Sequence, residues 1–496
     1  MSWSVTIAII YLIINLAIGF YTMRRNKNST DFFLAGKSLG VFPIAMATFA
    51  NAISGWLFVG GPGTVYSIGM GAMWFTVPAS VSACMAVYLI GKRMRLLADA
   101  PFNCMTVADA VKARYESKPA TFLASLATVV GTVLFLATQC LALGTVVSYI
   151  FGISLFWGVT LGTAAVLIYS ITGGVLAGIY TDVFQGIVMT IVSIVIFVIC
   201  LVVGGGLLNM TQTINTMAFT GAETALPAFT SQWGLVPASM AMSWFFVMGI
   251  GIVGQPHAVT NFYMIKDVKK LKWAALLAAV PSVVSGFLML GVGLVVRYLV
   301  VTGEAGPLAR PDDAITFFIN NYTHPILVGL VVAGIASAVM STCDSLISIA
   351  SASIVRDFPG LFGKKLSDKQ ELVYGRFAIL VLAIITIFIA LNLSSQGVNL
   401  LGAFGWGTFG AALGPVLAVG MNWKRTTKQA AVASIIVGLF GSVILEVLKV
   451  LKVYTLPHGI YNFAFTLLAS LIVLIVVSYL SPAPKLSEEL TKVMDA

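Results

Sequence analysis

Charge is what this sequence has least of. Only 9% of its 496 residues are Asp, Glu, Lys or Arg, against roughly 25% in a typical soluble protein. The 28 basic and 18 acidic side chains are too few to keep the surface of a 52.5 kDa globule wet. With 59% hydrophobic residues and a mean hydropathy of +0.99, the class is a polytopic membrane protein, expected in the cell (inner) membrane. Cysteine is scarce and odd in number: Cys84, Cys104, Cys140, Cys200 and Cys343 lie in or beside apolar runs. That excludes a disulfide-stapled domain and predicts free, buried thiols. No polar stretch is long enough to fold as a separate soluble domain. The first apolar run, Ser4 to Tyr21, lacks a preceding basic region and is followed by "MRRNKN" instead of a small-residue cleavage site. It reads as an anchor, not as a signal peptide.

Missing motif contexts exclude further chemistries. Gly249, Gly251 and Gly254 match G-x-G-x-x-G, but no strand precedes them and no ribose-binding acid follows, so this is not a dinucleotide site. The apolar runs hold no paired His/Glu metal motif and no Ser/Lys dyad, and an enzyme is not expected. The net charge of +10 is not gathered into a patch with aromatics, so neither nucleic acid nor an obligate protein partner is indicated. The basic residues instead cluster in short connections between apolar runs.

What is present is a series of thirteen apolar spans: 4–22, 42–67, 70–91, 121–149, 153–174, 178–206, 235–263, 273–300, 323–352, 374–394, 399–421, 429–450 and 459–481. With the amino terminus outside and the carboxyl terminus inside, 24 Lys and Arg residues fall inside, and only Arg297, Arg310, Lys449 and Lys452 fall outside. That asymmetry supports both the count and the orientation. The outside loop 301–322 contains "RPDDAITFFINNY", which predicts a short helix with an Asp-rich first turn over the outer face.

Two spans are interrupted by clustered glycines and a proline: "FANAISGWLFVGGPGTVY" (49–66) and "MGIGIVGQPHAVTNF" (248–262). They lie five spans apart, as an inverted repeat of five plus five helices requires, with a broken helix leading each half. The resulting division is one transmembrane transport domain over 1–496. It has an extra helix at 4–22, a first repeat at 42–206, a second at 235–421 and two closing helices at 429–481.

A third feature is the polar face of an apolar helix. "SAVMSTCDSLIS" (337–348) carries five hydroxyls, a thiol and a carboxylate, and Ser337, Ser341, Asp344, Ser345 and Ser348 fall in one stripe about 100° wide. Such a stripe pairs with other polar groups or lines a cavity. A sodium ion wants about five oxygens, and an unwound membrane helix offers carbonyls that have lost their helical donors.

The segments "ANAISGWLFVGGPG" (50–63), "SAVMSTCDSL" (337–346), "TGGVLAGIYTDVFQ" (172–185) and "GQPH" (254–257) together resemble the sodium/solute symporter family. Its bacterial members include proline, pantothenate, acetate and sialic acid symporters, and the likeness runs from about Asp31 to Lys428. It implies an all-α, leucine-transporter-like fold and sodium-coupled symport of a small organic solute, a small carboxylate or amino acid, into the cell by alternating access. The alternative is a transporter-like solute sensor or an uncoupled channel. The chain ends about fifteen residues after its last span, which argues against a fused signalling kinase.

The resemblance also implies positions. The family's main sodium site falls on Ala50, Ile53, Ala338, Ser341 and Thr342. The second sodium site of its sialic acid members falls on Asp182, Ser341, Asp344 and Ser345, where Asp344 replaces a family hydroxyl. The expected cargo is therefore one sodium ion, or two if Asp182 and Asp344 form a real site. The competing reading has Asp344 pairing with a basic residue at the inner end, such as Lys266 or Lys365. Proline symporters carry an acid where this chain has Ala52. The solute pocket falls on Ser54, Gly55, Trp56, Trp74, Phe75, Gln139, Met248, Ile252 and Trp406. Gln139 replaces a tyrosine and Met248 and Ile252 replace aromatics, so a proline pocket is not preserved. Gln139 and Ser54 are able to hydrogen-bond a solute carboxylate, but no Arg or Lys in a span is placed to pair with one. Trp74, Phe75 and Trp406 serve ordinary packing equally well. His257 is expected to satisfy broken backbone in preference to relaying protons, and Glu446 to lie near the outer interface beside Lys449.

Overall fold

The computed structural model describes residues 3–23, 39–216, 227–364, 366–394 and 397–496, except the side chains of 20, 22–23, 167–177, 368–369, 372 and 399–400. Arg24, Arg25, Lys27, Lys37 and Lys365, which enter the charge-asymmetry argument, lie outside the described residues. Within them the chain is helical, and its one strand-like feature is a bridge between Leu39 and Ile265.

The chain begins with α1 (Trp3–Met23) and α2 (Val41–Ala52). After the first break, a π-helical turn (Trp56–Gly60) leads into α3 (Gly61–Ile68). Gly69 then turns the chain with φ 72°, where a side chain would run into the Phe229 carbonyl. There follow α4 (Met73–Ala86), α5 (Lys92–Leu97), α6 (Val107–Tyr115), α7 (Lys118–Phe151), α8 (Leu155–Val203) and α9 (Leu207–Thr216). The second broken helix is α10 (Ala238–Ile250) followed by α11 (Pro256–Met264). The remaining helices are α12 (Leu271–Val301), α13 (Ala314–Tyr322), α14 (Pro325–Ala352), α15 (Asp368–Asn392), α16 (Gly397–Ala418), α17 (Lys428–Val450), α18 (Asn462–Leu480) and α19 (Glu488–Asp495).

Among the described residues, nine helices are long and apolar enough to cross a membrane. The bent pair Ala238–Gly254 and Pro256–Met264, inclined by 45°, makes a tenth. Both interrupted spans are thus broken, as their glycines and prolines predict. One expectation differs. Spans 153–174 and 178–206 run on as the single 49-residue helix α8, about 74 Å long at 1.5 Å per residue. The joining sequence has no proline, and Gly173, Gly174 and Gly178 weaken a helix without stopping it. The short helix expected over the outer loop is present as α13, and Asp312 just before it accepts a 2.8 Å hydrogen bond from the Val398 amide.

Packing places α14 at the centre, against α1, α2, α7 and α8. On α8 the exposed Ile187, Ile191, Ile194, Val198 and Val202 form a stripe at helical spacing, while Met189, Val192, Ser193, Ile196 and Cys200 are buried. An apolar outer stripe over a more mixed interior is the pattern lipid selects.

Candidate cation and solute site

The site grows from the end of α2. Its helix stops where Ile53 leaves the α region (φ −94°, ψ 81°), and the next helical turn starts afresh from the Ser54 carbonyl, which accepts from the Leu57 amide (3.0 Å). Buried backbone polar groups need partners, and here they come from two other helices. From α7, Gln139 accepts the Gly55 N–H on Oε1 (2.9 Å) and donates from Nε2 to Ser54 Oγ (3.1 Å). From α14, Ser341 Oγ donates to the Ala50 carbonyl (3.0 Å) and lies 3.2 Å from the Ala338 carbonyl. Thr342 Oγ1 approaches Ala338 O (3.1 Å) and Asn51 O (3.5 Å). Two hydroxyls and three carbonyls thus converge in a fully buried spot beside Ile53, with no carboxylate among them. The oxygens fit a hard monovalent cation, because hydroxyls that rotate can turn lone pairs inward beside the carbonyls.

One turn further along α14 the polar groups are of a different kind. Ser345 Oγ donates to Asn51 Oδ1 (2.9 Å), and the Asp182 carboxylate of α8 stands beside the Asn51 side chain and within electrostatic reach of Asp344. Asp182 Oδ1 is buried without a hydrogen-bond partner among the described residues. The Asp344 carboxylate packs onto Gly178, where an added Cβ would collide with Oδ2. Lys266, one suggested partner of Asp344, is exposed at the surface, and Lys365 lies outside the described residues. Asp344, Ser345 and Ser348 line a cavity of about 40 Å³ with Thr260, Asn261 and His257. By volume it holds on the order of three waters. Ser337, at the other end of the stripe, is bonded to Tyr11 Oη of α1 (2.9 Å). The stripe is therefore shared among α1, α2 and the cavity.

The solute candidates divide. Trp56 sits at the centre, edge-on to Phe75 (centroids 4.6 Å apart) and 6.3 Å from Trp406, with its indole Nε1 buried and unpartnered. Phe75 also meets Trp244 edge-on. Met248 and Ile252 are fully buried at the second break, where the neighbouring Val247 carbonyl accepts the Trp406 indole N–H (3.3 Å). Ser54, Gly55 and Gln139 bond one another, and a Cβ on Gly55 would strike Val339, so these three brace the break. Trp74 is elsewhere. Its indole donates to the Gln232 carbonyl (2.7 Å) and its ring stacks on Trp233, because α4 turns that face toward the connection before α10.

His257 also departs from expectation. Neither ring nitrogen has a hydrogen-bond partner among the described residues, and the ring lies near-parallel to Phe135 and borders the cavity. Gln255 does the work foreseen for it: Nε2 donates to the Trp406 carbonyl (2.9 Å) and to the Gly251 carbonyl (3.2 Å) across the second break. An amide within a glycine-proline break was the available signal for Gln255. Glu446 is buried, and accepts from Lys449 (2.9 Å) and Asn462 (2.9 Å).

Comparison with known proteins converges on the same picture. Residues 32–438 match the sodium:solute symporter family. The sodium/proline symporter of Staphylococcus aureus (strain JH9) is 30% identical over 516 residues, covering 100% of this chain and 96% of the relative. The osmoregulated proline transporter OpuE of Bacillus subtilis is 27% identical, covering 98% and 96%. Among solved structures, a Na+-coupled sialic acid symporter in a substrate-bound outward-open state superposes with a TM-score of 0.79 at 18% identity, covering 98% of this chain and 100% of that one. The Mhp1 nucleobase-cation-symport-1 family transporter gives 0.55 at 14% identity, covering 95% and 99%. These likenesses fix the fold as that of a multi-pass membrane transporter, not an enzyme, and the chain belongs to the sodium:solute symporter family.

Proposed function

We propose that the protein couples the entry of sodium to the uptake of a small organic solute bearing a carboxylate, an amino acid or a short acid, by alternating access. The observation that carries this reading is the meeting of Ser341 and Thr342 with the carbonyls of Ala50, Asn51 and Ala338 at the end of a broken helix. A cation there, with the Ile53 carbonyl, ties α2 to α14 and favours whichever state keeps the two helices together. Solute binds against the Trp56, Phe75 and Trp406 cluster, where the unpartnered Trp56 N–H supplies a donor for an acceptor oxygen. The relatives' printed names support an amino acid as one member of the class. In the same reading 42–206 and 235–421 are the inverted repeats, the first with its last two expected spans joined in α8.

A second cation is assigned to Asp182, Asp344, Ser341 and Ser345. The support is Asp182 Oδ1, a buried acceptor without a hydrogen-bond partner, facing a second acid. Two carboxylates at close range repel unless a cation or proton lies between them. The acid that proline symporters carry at the Ala52 position is replaced in net charge by Asp344.

The test is uptake into proteoliposomes with and without an inward sodium gradient, with a panel of amino acids, short monocarboxylates and sugars. Accumulation of one carboxylate-bearing solute only when the gradient is present is expected; equal entry of all solutes without sodium would sink the reading. For the second cation, Asp344→Asn should make the sodium dependence of uptake less steep. Unchanged steepness would return Asp344 to a structural role.

A further inference from the structure

A second site lies away from the transport core, at the end of the bundle that carries the basic residues. Arg114, at the end of α6, is almost completely buried there. Its four hydrogen bonds all go to neutral backbone carbonyls: Nε to Gly420 (2.6 Å), and Nη2 to Trp423 (3.1 Å), Lys424 (3.4 Å) and Thr426 (3.3 Å). Nη1 has no partner. Burial pushes the guanidinium below its usual range. Carbonyl dipoles soften that cost without neutralising the charge.

The cavity beside it, about 310 Å³, is lined by Arg114, Lys428 and Lys485, with the exposed Glu116 as its acid. It opens at the amino terminus of α17, a 23-residue helix capped by Thr427, so the positive end of the helix dipole adds to the three cations. From Lys428 and Gln429 the space continues into a groove lined by Pro119, Val432, Ala433 and Ile436. Beyond it, Ile436, Phe440, Ile444 and Val447 form an exposed apolar stripe along α17.

We propose that this cavity binds a phosphate group, and that the phosphate belongs to an anionic phospholipid of the adjoining leaflet. The two lysines and the helix terminus meet the phosphate oxygens, the buried Arg114 guanidinium adds its positive charge from behind the cavity wall, and an acyl chain follows the apolar groove and stripe of α17. Ammonium groups and the N–H groups of a helix terminus are suited to phosphate oxygens. The continuous path from cationic cavity to lipid-facing stripe favours a lipid over a free ion.

The test uses the full-length protein in detergent. Its unfolding temperature is followed while short-chain phosphatidylglycerol, phosphatidylcholine of the same chain length, or inorganic phosphate is added. Phosphatidylglycerol should reach its half-maximal shift at a concentration about tenfold below phosphatidylcholine. Lys428→Gln with Lys485→Gln should erase that difference while leaving the unliganded unfolding temperature unchanged, since both side chains are exposed. Lys269→Gln with Lys270→Gln, an exposed pair lining neither the cavity nor the groove, should leave the difference intact and so controls for net charge. Equal shifts from the two lipids, or a difference that survives loss of Lys428 and Lys485, would overturn the site. The full shift with inorganic phosphate alone would overturn the lipid and assign a soluble anion.

Discussion

The two broken helices are mended in different ways. At the second break, Gln255 sits inside the interruption and reaches the Gly251 carbonyl of its own segment and the Trp406 carbonyl of α16. At the first, no residue of the break serves. The Gly55 N–H and Ser54 hydroxyl depend on Gln139 from α7, and the Ala50 carbonyl meets Ser341 from α14. A break whose own side chain bonds within it keeps that bond when neighbours move, as Gln255 does with Gly251; one held by two other helices changes when either moves. The first break is thus the one whose geometry the proposed cation would control, because the oxygens proposed to hold it come from both sides of the α2–α14 contact.

Substitutions can break this comparison. The largest effect is expected from Gln139→Ala, which strands the buried Gly55 N–H. A loss of about 2 kcal/mol in unfolding free energy is expected, read by denaturant titration, with uptake impaired at all sodium concentrations. Ser341→Ala or Thr342→Ala should raise the sodium concentration for half-maximal uptake about tenfold, and the corresponding solute concentration less. An unchanged sodium dependence would place the cation elsewhere. Gln255→Ala removes donors from carbonyls only, and about 1 kcal/mol is expected with sodium affinity unaltered. If Gln255→Ala shifted sodium affinity as much as Ser341→Ala, the two breaks would not differ as described. Smallest of all, Trp74→Phe should leave solute selectivity in the uptake panel unchanged, because Trp74 faces Gln232 and Trp233.

Much of the fold was legible from local composition. Hydrophobic runs, glycine-proline interruptions and the hydroxyl stripe are all readable within a window of about twenty residues, and the structure has both breaks and α13 where they were expected. The continuity of α8 was not legible, since glycines permit a turn without requiring one. Among site residues, Ser341 and Thr342 stand against the first break as the motif implied, whereas Gln139, Trp74 and His257 have surroundings that no motif specified.

By itself the sequence determined that this is a membrane protein with two interrupted helices and one polar-faced helix, since hydropathy and helical phase are properties of adjacent residues. Only the tertiary structure decided which polar group each one meets. Ser54 and Gln139 are 85 residues apart, Ala50 and Ser341 are 291 apart, and Tyr11 and Ser337 are 326 apart. In a hydrocarbon setting every buried donor must find an acceptor, but any of several helices can supply it. The choice is made by packing, which sets Ser337 against α1, Ser341 and Thr342 against the broken α2, and Asp344 beside a cavity shared with His257.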